Sequence, residues 1–97
     1  MAKTRARTVE VDGIEVTVAI DPMRDYEFVE LSYTSADPEA GVAEKNRAYF
    51  RRNRLLLGAG YDRVMGELRE AHGGELDKDV VSDFMARVIA GAVEAKN

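Results

Sequence analysis

The sequence predicts an α+β fold: an N-terminal β-hairpin packed on a mainly helical domain of about four helices. Three observations carry it. Hydrophobicity alternates with period two between Arg5 and Ile20, around Asp12-Gly13. Proline and glycine punctuation then divides the rest into segments of helical length. Third, Leu55-Leu56-Leu57 runs into Gly58-Ala59-Gly60, with Tyr61, Val64, Met65 and Leu68 following at helical spacing. Three adjacent leucines on a small protein mark a place where the chain turns back on its own core. Glycines there permit the left-handed conformation that ends many helices.

The chain has 97 residues, which suits one domain, with residues 1–4 a loose terminus, 5–20 the hairpin and 22–95 the helical part. In the hairpin, Val9 and Val11 alternate with Thr8 and Glu10. Ile14, Val16, Val18 and Ile20 alternate with Glu15, Thr17 and Ala19. Asp12-Gly13 is a preferred pair for a two-residue type I′ turn, which pairs Val11 with Ile14 and Val9 with Val16. All six apolar side chains then share one face, and helices must cover it because a lone hairpin is marginal in water.

Asp21-Pro22 reads as an N-cap with proline at the first helical position, starting a helix from about Pro22 to Thr34. The same pair at Asp37-Pro38 starts a second helix, Pro38 to Leu57, with Val42, Tyr49, Phe50, Leu56 and Leu57 on its apolar side and Asn46 and Asn53 interrupting it. A third helix runs from about Tyr61 to Ala71 or His72 and stops at Gly73-Gly74. Asp77 caps a fourth, Lys78 to about Ala95, with Leu76 and Val81 as a hydrophobic staple and Val81, Phe84, Met85, Val88, Ile89 and Ala92 as its stripe.

Composition excludes several functions. There is no cysteine, so no disulfide framework and no thiolate zinc site. No apolar run reaches the ~18 residues of a membrane span and no signal-peptide core is present, which reads as a soluble, cytoplasmic protein with no membrane partner. The single histidine, His72, stands at a helix end without ligand or catalytic partners at useful spacing. The carboxylate pairs Glu27/Glu30, Glu67/Glu70 and Asp77/Asp79 fall on solvated faces and helix starts. Gly58-Ala59-Gly60 lacks the ending of a phosphate loop and does not follow a strand. No catalytic residue, cofactor site or metal site is expected, and the reading is not an enzyme.

Two features stand apart from the core pattern. Lys45, Arg47, Arg51, Arg52 and Arg54 give residues 45–54 five positive charges with no acid. The net charge is −4, so the remainder carries −9. Helical spacing places Lys45, Arg51, Arg52 and Arg54 in one exposed sector, with Arg47 at its edge. A solvated face, a protein contact (including an acidic face of another copy) and a nucleic-acid contact all fit such a cluster. A pI near 5.0 works against the last. The second feature is seven large rings for one small core, Tyr26, Phe28, Tyr33, Tyr49, Phe50, Tyr61 and Phe84. Tyrosine and arginine are favoured at interface hot spots. The candidate partner-binding residues are therefore Tyr26, Phe28, Tyr33, Tyr49, Arg51 and Arg52.

The order of elements resembles the small tail assembly chaperones of siphophage and prophage tail operons in Gram-positive hosts. The resembling pieces are the Asp12-Gly13 hairpin, Asp25-Tyr26-Glu27-Phe28-Val29-Glu30-Leu31, Leu55-Leu56-Leu57-Gly58 followed by Tyr61 and Leu68, and the last helix with Val81, Phe84 and Met85. Together they span roughly residues 8 to 94. The resemblance implies a protein without enzymatic activity that self-associates, binds the tape measure protein, keeps it soluble and promotes tail tube assembly around it. The basic cluster at 45–54 departs from the family pattern. The alternative is a small helical DNA-binding regulator. Its turn at Gly58–Gly60 would be followed by a recognition helix carrying Asp62, Glu67 and Glu70, which argues against it.

Overall fold

Asp12 and Gly13 both adopt positive φ, 53° and 79°, as a type I′ turn requires, and they join strand β1 (Arg7–Val11) to strand β2 (Ile14–Val18). These coordinates are a computed structural model that describes residues 7–95. The expected loose terminus at 1–4 and the start of the hairpin at Arg5 lie outside them. The strands pair antiparallel in the expected register, Val11 with Ile14 and Val9 with Val16. Val11, Ile14, Val16 and Val18 are buried, while Thr8, Glu10, Glu15 and Thr17 face outward.

Four helices follow the hairpin, α1 (Tyr26–Ala36), α2 (Val42–Leu57), α3 (Tyr61–Ala71) and α4 (Lys78–Ala95), and the last three cover its apolar face. The α+β class stands, but the expectation of about four separate helices is slightly off. A 3-10 turn, Gly58–Gly60, joins α2 to α3 without a loop, leaving three helical runs of which the middle one is bent. The bend depends on Gly58, whose φ is 56° and ψ −136°. A Cβ there would stand 3.0 Å from the Ala19 Cβ, and the Ala19 amide donates to the Leu56 carbonyl at 2.7 Å. The corner is thus sutured to the segment leaving β2. Gly60 has an ordinary φ of −84°, so the positive-φ requirement falls on Gly58 alone.

The first two helices start later than their Asp-Pro pairs predict. The Asp21 carboxylate accepts from the Met23 amide at 2.9 Å and its carbonyl from Arg24 and Asp25, closing a turn. Asp25 is the N-cap of α1, accepting from the Phe28 amide at 2.9 Å. Likewise Asp37 accepts from Glu39 and Ala40, and α2 begins after Gly41 with no side-chain cap.

The core is formed by Val11, Ile14, Val16 and Val18 of the hairpin, Phe28 of α1, Leu56 and Leu57 of α2, Val64 and Leu68 of α3, and Phe84, Met85, Val88 and Ala92 of α4. Helix α4 lies along β1, where Gly91 brings the backbone against Val9, whose Cγ1 would stand 3.4 Å from a Cβ at 91. Helix α3 packs on β2. Helix α1 lies against α2, at the side of this body. No helix among the described residues is long and apolar enough to cross a membrane.

Candidate interaction surface on the first two helices

A small domain normally scatters its exposed apolar side chains. Here the large ones fall between residues 23 and 50: Met23 is 61% exposed, Tyr26 79%, Tyr33 76%, Val42 72% and Phe50 54%. Tyr26, Glu30 and Tyr33 recur at i, i+4 and i+7, so one face of α1 is an aromatic pair with a carboxylate between them, all exposed. That face points away from α2, because Phe28, on the opposite side of the helix, is the buried residue.

Of the predicted partner-binding residues, Tyr26 and Tyr33 are on this surface. Phe28 is not: it is 4% exposed and belongs to the core. The first helix is apolar on several faces, and which aromatic turns inward is decided by where α2 lies, not by local spacing. Tyr49 is half-buried. Its hydroxyl shares a 3.0 Å hydrogen bond with the Ser82 hydroxyl of α4, and its ring meets Phe50 edge-on at 5.9 Å. Tyr49 therefore ties α2 to α4.

The basic cluster divides. Arg52 is half-buried, with its guanidinium 5.1 Å from the Tyr49 ring centroid and 5.7 Å from that of Phe28. It donates through Nη2 to the buried Asn53 Oδ1 at 3.0 Å. Burial pushes its pKa below the ordinary arginine value, and Tyr49 acts in the opposite direction. Lys45 is also half-buried. The predicted exposed sector containing Lys45 and Arg52 is therefore corrected: the outward stripe of α2 is Arg47, Arg51 and Arg54. Arg51 reaches across to Glu27 of α1 at 2.9 Å, and Arg54 lies 4.4 Å from the Tyr61 ring centroid.

Two residues placed on the apolar side of α2, Val42 and Phe50, are exposed, while Asn53, taken as an interruption, is buried. The arginine that satisfies Asn53 makes this possible, since a buried amide needs a partner. Met23, Arg47 and Arg54 join the surface without having been singled out as partner-binding. The detectable signal for the arginines was the spacing 47, 51, 54, which is i, i+4, i+7.

The surface is electrically two-sided. Residues 25–39 contain Asp25, Glu27, Glu30, Asp37 and Glu39 and no base, whereas 45–54 contain five bases and no acid. A shallow hollow of about 380 Å³ lies nearby, between Tyr33, Thr34, Ala36, Asp37 and Pro38. Among the described residues no group of three or more histidines, aspartates or glutamates could hold a metal ion. His72, at the end of α3, is exposed, and its amide donates to Arg69. On α3, Asp62, Glu67 and Glu70 are exposed and Arg63 is engaged by Glu67 at 2.6 Å and by the Glu15 carbonyl at 2.8 Å. That helix presents a poor face to a phosphate backbone. Comparison with known proteins returned no match to any family model, curated protein or solved structure.

Proposed function

We propose that this chain is a non-enzymatic assembly protein, a tail assembly chaperone of the siphophage and prophage type. It acts in the host cytoplasm, associates with itself and holds the tape measure protein soluble during tail tube assembly. The observation that carries a binding role is the gathering of Tyr26, Tyr33, Val42 and Phe50 on one pair of helices, with Met23 in the turn that leads into them. Exposed aromatics beside arginines are the composition of contact surfaces. The family itself is taken from the resemblance in sequence. An aggregation-prone, helical partner fits a surface of this kind, because an amphipathic helix offers apolar anchors at i, i+4 and i+7.

Co-expression with the tape measure gene of the same operon tests the reading. The expected outcome is a larger soluble fraction of the partner and a recoverable complex. An equally insoluble partner with and without this chain, and no complex, overturns it.

A further inference from the structure

Helix α1 is held at the side of the molecule by one neighbouring element. Of its eleven residues only Phe28 is buried, and its packing is against α2. The stretch that ends it, Ser32-Tyr33-Thr34-Ser35, is of residue types that helices hold weakly. The hydroxyls of Ser32, Thr34 and Ser35 turn back to the carbonyls of Phe28, Glu30 and Ser32 at 2.9, 3.2 and 3.0 Å. The ion pair from Glu27 to Arg51 is exposed on both sides, 44% and 70%, where such pairs contribute little. The one buried anchor in the hold on α2 is Phe28, beneath the Arg52 guanidinium. On α2, Ala48, Arg52 and Leu55 recur at i, i+4 and i+7 on the side toward α1, with Arg51 at its exposed edge.

We propose that α1 is a displaceable latch. It opens from α2 while the hairpin, α3 and α4 stay folded, and a partner helix takes its place. The chemistry of that partner is written in α1 itself: a carboxylate to meet Arg51 and, next to it, an aromatic ring to lie under Arg52. An acidic-aromatic amphipathic helix is the occupant. The occupant rests on the binding role proposed above; the opening does not.

Native-state hydrogen exchange on the full chain reads the opening. The α1 amides should exchange at least about tenfold faster than those around Phe84 and Val88 in α4. Protection of α1 equal to that of α4 overturns the latch. A labelled peptide of residues 24–38, added in trans, reads the occupant. It should bind the full chain, and about tenfold more tightly when the chain carries Phe28→Ala, because the competing cis helix is loosened. A peptide with Phe28→Ala should not bind. Absence of binding to either chain, or equal binding by the peptide lacking the ring, overturns the occupant. Neither readout involves the tape measure protein, so failure here and failure of the co-expression test are separate results.

Discussion

Arg87 on α4 forks onto Asp12 at the tip of the hairpin, Nη1 to Oδ1 at 2.9 Å and Nη2 to Oδ2 at 2.7 Å. The same guanidinium holds Asp83 one turn earlier on α4, through Nε at 3.0 Å. Asp12 carries positive φ in the turn, so one residue sets the turn and fastens it to the last helix. The hydrogen bond from Arg87 is the largest cause of a lowered Asp12 pKa; the charges of Arg87 and His72 act in the same direction, against desolvation.

A carboxylate with a depressed folded pKa stabilises above its unfolded value, about 3.9, and that contribution disappears as pH falls through the folded value. Asp12→Asn keeps a residue that tolerates positive φ and removes the charge. The variant should melt at a lower temperature than the parent at neutral pH. The gap should close as pH is taken below about 4. Melting curves at a series of pH values check this; a gap independent of pH speaks against the fork.

Gly58→Ala should destabilise strongly. It forces a side chain into a φ/ψ region kept almost entirely by glycine, and its Cβ meets Ala19 at 3.0 Å. A loss of about 2 to 4 kcal/mol is expected. Urea titration measures it, and Gly60→Ala, with ordinary φ and open space, is the control that should change little.

Phe84 is fully buried. Phe84→Ala should cost about 3 to 5 kcal/mol, a large part of the roughly 5 to 15 kcal/mol typical of a domain. A loss below about 1 kcal/mol in denaturant titration is incompatible with a core position.

Self-association should depend on the outer faces of α1 and α2. Charge reversal at Arg47 and Arg54, or Tyr26→Ser with Tyr33→Ser, should shift the oligomer distribution toward monomer in analytical ultracentrifugation, and added salt should weaken any charged contact. Stability should move by less than about 0.5 kcal/mol, because these side chains are exposed. A parent chain that is strictly monomeric at high concentration removes the prediction.

Much of the fold was legible because independent signals agreed. The Asp12-Gly13 turn and the period-two pattern give the same register, and the stripes of Val64/Leu68 and of Phe84/Met85/Val88/Ala92 have single solutions. The starts of α1 and α2 were misplaced for a physical reason. An aspartate before proline can close a turn as readily as cap a helix, and Asp25 competes with Asp21 for the cap. The surface was half legible. Tyr26 and Tyr33 were found, but Phe28 and Arg52 were assigned outward when they pack on each other. Nothing local distinguishes one ring of an all-round apolar helix from another. Likewise Phe50 and Asn53 exchange the environments their polarity implies, since Arg52 satisfies the amide.

The aromatic and charged face of α1 adds nothing to the core, which takes only Phe28 from that helix. Substitutions at 26, 30 and 33 are therefore decoupled from folding. The arm can drift with whatever it binds, while the hairpin, α3 and α4 hold the architecture fixed. Related chains with this fold are expected to differ most on the outer turns of the arm, and each should match its own partner and fail with another's.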